Sequence, residues 1–90
     1  MEVKYLKCTY SQGLFKGEYI VHFNSMHQKW CNVNKSDVTR MGRTSGFVKC
    51  FPYAEAGADV CVWINDVGDH RLSPFRVPRA DLVDKVKKAA

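Results

Sequence analysis

One six-residue pattern occurs twice and divides the chain. Val33-Asn34-Lys35-Ser36-Asp37-Val38 returns as Val77-Pro78-Arg79-Ala80-Asp81-Leu82: valine, any residue, a base, a small residue, aspartate, an aliphatic. Each copy closes a segment of similar build, so the chain reads as one domain of two related halves, 1–45 and 46–90. Val48-Lys49-Cys50 echoes Leu6-Lys7-Cys8, and Asp59 to Asn65 lies over Glu18 to Asn24, with Val62 on Val21 and His22 matched by Trp63. Cys8 then meets Cys50, Cys61 meets Ile20 and Cys31 meets Phe75. The offsets are 42, 41 and 44 residues, so the alignment needs gaps. Internal duplication and two unrelated meanders of like pattern both account for this.

Period-two alternation predicts the elements. A first strand over Tyr5 to Tyr10 turns Leu6, Cys8 and Tyr10 inward and Tyr5, Lys7 and Thr9 outward. Glu18 to Asn24 and Lys29 to Val33 follow as strands, and the first copy of the pattern reads as a helical turn, Asn34 to Val38, capped by Ser36 or Asp37. Thr39 to Gly46 is expected to be a mobile polar loop. The second half repeats the plan, with strands at Phe47 to Phe51, Asp59 to Asn65 and Leu72 to Val77 and a turn at Ala54 to Ala58. Pro74 and Pro78 suit strand ends or edges, because proline has no N–H for a ladder. Leu82, Val83 and Val86 at helical spacing predict a short C-terminal helix from Ala80 to about Lys88. The fold class expected is all-β, a small six-stranded barrel or sandwich of two similar three-stranded halves with that helix at the end.

The closing stretch, Phe75-Arg76-Val77-Pro78-Arg79-Ala80-Asp81-Leu82, resembles the last strands of SH3-like small barrels, which end in an extended segment and a tight helical turn. Peptide-binding SH3 domains imply an acidic loop and an aromatic groove. This chain has Lys7-Cys8-Thr9-Tyr10-Ser11 in the corresponding strand and lacks the paired tryptophans, so proline-rich peptide recognition is not expected. Tudor-like and ribosomal small barrels imply binding of nucleic acid or modified side chains.

Hydrophobic residues make up 46% of the chain and aromatics 12%, enough for a packed core. The longest apolar run, Val60 to Ile64, is far too short for a membrane span, and no secretory h-region follows the N-terminus. The default expectation is a soluble cytoplasmic protein with no membrane partner. Cys8, Cys31, Cys50 and Cys61 contain no C-x-x-C pair, which favours buried free thiols over a Cys/His metal site with His22 and His27 as spare ligands. His22 itself reads as a partly exposed cross-strand partner, and His27 and His70 as solvated turn residues. Trp30 and Trp63 suit core or half-core positions, with base stacking as the alternative. No nucleophile motif, phosphate-binding glycine loop or H-E-x-x-H is present, and neither enzyme activity nor a cofactor is expected.

Charge is the best functional signal. The net charge of +5 falls on residues 1–50, with eight Lys/Arg against three Asp/Glu, while residues 51–90 balance at six against six. Basic residues are interleaved with aromatics in the first half, and Tyr5 and Lys7 would share an outward face with Phe47 and Lys49. That pattern suits phosphates and stacked bases. The expected site is Lys7, Lys29, Lys35, Arg40, Arg43 and Lys49 on phosphates, with Trp30 or Tyr5 as a stacking surface. The alternative expectation is a protein-interaction module, such as a small inhibitor or adaptor of phage or mobile-element type, docking on an acidic partner protein or adding a strand at an exposed edge. A homo-oligomer continuing the two-half symmetry ranks third.

Overall fold

The computed structural model describes residues 2–87. Its strands are β1 (Lys4–Gln12), β2 (Glu18–His22), β3 (Trp30–Asn34), β4 (Val38–Arg40), β5 (Ser45–Ala56), β6 (Asp59–Asp66), β7 (Arg71–Pro78) and β8 (Leu82–Val83). All pairings are antiparallel. Six strands run in the order β3-β2-β1-β5-β6-β7, and the short β4 and β8 add to β5 and β1. The end strands β3 and β7 do not pair with each other, so the sheet curls into a half-barrel rather than closing. Its inner face carries the core that alternation predicts. Leu6, Val21, Val33, Val48, Val62, Ile64 and Val77 are fully buried, joined by Cys31 and Cys50. Tyr10, Tyr19, Val38 and Leu82 pack against them from the margins.

Apart from one bulge between β5 and β6, the pairings map onto themselves when the halves are exchanged. β1 and β5 cross at Leu6 opposite Val48, and Leu82 of β8 faces Leu6 as Val38 of β4 faces Val48. Val21 faces Cys31 in the first meander as Val62 faces Phe75 in the second. The loops obey the same exchange. Met26 N donates to Arg76 O at 3.0 Å, and its image Val67 N donates to Asn32 O at 2.9 Å. Each β-meander thus lays its second turn on the other's edge strand. Since Arg76 turns its carbonyl away from β6, Pro74 and Pro78 also present their nitrogens outward, where no donor is needed.

Both copies of the six-residue pattern become 3-10 turns, Lys35–Asp37 and Arg79–Asp81, with extended residues on either side. Neither turn has a side-chain cap, contrary to the expected role of Ser36 or Asp37. The expected C-terminal helix is absent among the described residues; its far end, Lys88, lies outside them. Leu82 and Val83 instead pair with Leu6 and Tyr5. An isolated helix of that length gains little in water, whereas a ladder on β1 satisfies the backbone and seats Leu82 on the core. Two loops are also shorter than expected. Thr39–Arg40 and Ser45–Gly46 belong to β4 and β5, leaving a Met41–Thr44 turn in place of a long mobile loop. Likewise β5 continues through Ala54–Ala56, and the chain reverses at Gly57, whose φ of 66° favours glycine.

Candidate functional site

The outward face of the β1–β5 pair carries two aromatic–lysine rows, Tyr5 opposite Lys49 and Lys7 opposite Phe47. One step further along β1, Thr9 faces His22 of β2, and His22 faces Trp30 of β3. The image of this row in the second half is Phe51, Trp63 and Pro74. At this row the halves differ.

In the second half rings fill the outward surface. A β-bulge between Pro52 and Ala54 leaves Tyr53 unpaired, and its ring stacks on Trp63 with centroids 4.4 Å apart and planes 22° from parallel. The Lys49 ammonium lies 5.6 Å from the Phe51 centroid. What remains is a cleft of about 340 Å³ bounded by Asp37, Lys49, Phe51, Asn65 and Leu72. In the first half, Thr9 and His22 stand in place of the two rings, and the β1–β2 register runs without a bulge. The matching cleft holds about 640 Å³. Cys8, Phe23, Phe47 and Met41 supply its apolar wall, and Lys7, Lys29 and His22 its exposed polar groups.

Asp81 is the one acid on this cleft, and the Asn24 side-chain amide donates to its carboxylate at 3.1 Å. Its image Asp37 borders the smaller cleft, where burial raises the carboxyl pKa against the pull of Lys49. Burial likewise lifts the Cys8 thiol to about 12, so it stays protonated at neutral pH and meets the cleft as an apolar group. Cys31 and Cys50 are sealed in the core, and no cysteine forms a disulfide; Cys61, expected to be buried, is half-exposed near Tyr53. Among the described residues no group of three His, Cys, Asp or Glu is placed to hold a metal ion.

The seven expected site residues separate into groups. Lys7 and Lys29 line the large cleft. Trp30 stands beside it, next to His22 in the cross-strand row, and at 47% exposed it is a free ring rather than a core residue. Arg40 and Arg43 line an adjoining groove that shares Met41 with the cleft. That turn is tied down by Tyr10, whose hydroxyl donates to Gly42 O at 2.7 Å and whose backbone N donates to Thr44 O at 2.8 Å. Lys49 belongs to the opposite, filled cleft, though it neighbours Lys7 diagonally across β1 and β5. Lys35 does not line the cleft; its ammonium lies 5.0 Å from the Tyr19 centroid.

Ion pairing sets the expected site cations apart from the second half's arginines. The four ion pairs among the described residues use Lys4, Arg71, Arg76 and Arg79. None of the six expected phosphate-binding cations has an acidic partner there. Sequence reasoning did not select His22, Phe23, Met41 or Asp81 for the site. The signal available was the fall of His22 on Trp63, a smaller, polar ring where the other half carries an indole. Compared with protein-family models, curated proteins and solved structures, the chain matches none.

Proposed function

We propose that this protein is a non-enzymatic binding module that takes a polyanion, nucleic acid foremost, along a face running from Lys7 and Lys29 to Arg40 and Arg43. The observation that carries the reading is the uneven compensation of charge. Arginines of the second half are paired within the molecule, while these four cations beside an open apolar cleft are not. Uncompensated surface cations gain most from phosphates, since neutralisation releases condensed counterions. The shared offsets of sequence and pairing support reading the halves as copies of one unit, the first of them opened for binding. The 3-10 turn between β7 and β8 supports a kinship with SH3-like barrels, at the level of the closing strands alone.

Fluorescence anisotropy with single-stranded DNA, duplex DNA and RNA across a salt series tests the function. Affinity should fall log-linearly with salt, and Lys7→Gln with Lys29→Gln should reduce the slope for a single strand by about 1.4, at about 0.7 per phosphate. An unchanged slope removes the cleft from the site, and no binding at low salt retires the polyanion reading. A second reading, a protein-interaction module, draws on the β1–β2 hairpin tip. There Leu14 is 85% and Phe15 63% exposed, where the equivalent turn of the second half has only Gly57 and Ala58. Capture of one protein partner, lost on Leu14→Ser with Phe15→Ser and unaffected by the lysine changes, would favour it.

A further inference from the structure

The two halves answer one structural question in two ways, and the difference describes a ligand. At the row next to the β1–β5 crossing, the second half buries part of its outward surface under its own rings, Phe51 and Trp63, with Tyr53 stacked on the latter. The first half pairs the equivalent positions at this row, yet Thr9 and His22 leave the space open. The wall left behind is apolar, with Phe23, Phe47 and Met41, and the cations Lys7 and Lys29 border it. A largely apolar opening beside cations that have no ion-pair partner among the described residues suits a molecule that is both aromatic and anionic.

We propose that the cleft takes a nucleobase of a single-stranded nucleic acid, seated where Phe51 and Trp63 lie in the other half, with Lys7 and Lys29 on the flanking phosphates and Trp30 stacking a neighbouring base. This rests on the polyanion reading above and goes beyond it, because it assigns the base as well as the backbone. Duplexes keep their bases stacked inside and offer none to the cleft, so a single strand is the form recognised.

The molecule supplies its own test. Thr9→Phe with His22→Trp installs in β1 and β2 the cross-strand pair that β5 and β6 already carry, in the same register, and leaves every lysine and arginine in place. Binding of a single-stranded oligonucleotide, as RNA and as DNA in separate arms, is measured beside heparin, a polyanion without bases. The expected result is a loss of about tenfold or more for the oligonucleotide with heparin affinity unchanged. A second measurement uses the unaltered protein. An oligonucleotide with abasic positions but the same phosphates should bind about tenfold more weakly than the intact strand. Equal binding of intact and abasic strands overturns base seating while leaving the polyanion reading standing. So does an oligonucleotide affinity that the filled, folded variant does not change. If the unaltered protein binds neither oligonucleotide nor heparin at low salt, the polyanion reading falls, and the base-binding proposal with it.

Discussion

Cysteine shows how position rather than residue type sets chemical behaviour here. Cys8, Cys31 and Cys50 lie on inward positions of β1, β3 and β5, and desolvation pushes all three thiols upward, Cys8 and Cys50 to about 12. The thiolate is the reactive species, so these three should resist a maleimide or a disulfide reagent at pH 8. Cys61, half-exposed on the outward face of β6, should react alone in the folded protein, with all four titrating after denaturation. Rapid labelling of a second thiol under native conditions would show the core to be open. Inwardness of Leu6 and Cys8 was legible from alternation alone, because a strand's side chains point to opposite faces in turn. Exposure of Trp30 was not. Its bulk argues for burial, and only its outward phase on the end strand β3 leaves the ring in solvent.

At the scale of elements, the short strands β4 and β8 hold the halves together. Each follows a 3-10 turn and pairs with the first strand of a half, β4 with β5 and β8 with β1. Close approach makes this joint possible. Gly46 of β5 faces Arg40 of β4 and Cys8 of β1, and a Cβ there would lie 2.6 Å from the Thr39 carbonyl oxygen. Backbone cannot yield as a flexible side chain does. Gly46→Ala should therefore cost about 1–3 kcal/mol in chemical denaturation. No loss of stability would mean that β4 sits less tightly on β5. The six long strands could be read from the sequence to within two residues, save for the far end of β5, which runs to Ala56 through an expected turn, but β4 and β8 could not. Three residues such as Val38-Thr39-Arg40 carry too little pattern to distinguish a strand from a loop, and Leu82-Val83 fits a helix as well until β1 is present.

For the whole molecule, the exchange of β4 and β8 has a cooperative consequence. A chain of residues 1–44 would keep the β1–β2–β3 meander but lose both strands that flank Leu6, β5 and β8. Val38 would lose Val48, and the buried face of three short strands would open to water. Such a chain should be unfolded by circular dichroism, and so should residues 45–90. A stably folded half would show that the crossing at Leu6 and Val48 is dispensable. The clasps of Met26 on Arg76 and Val67 on Asn32 belong to the same scale, since each joins the second turn of one half to an edge of the other. They also occupy part of each end strand, a common way for an open sheet to protect its edges.

The sequence by itself determined the strand phases and the concentration of unbalanced charge in the first half. These follow from local rules of alternation, turn chemistry and residue count. The tertiary structure alone decided that the sheet stays open as a half-barrel, that Leu82 and Val83 form a strand rather than part of a helix, and that Lys7 and Lys29 share a cleft while Lys35 and Lys49 do not. Those outcomes depend on which strand lies beside which. The cleft exists because Thr9 and His22 become neighbours only when β1 and β2 pair, and a small residue leaves a space only where its surroundings are fixed.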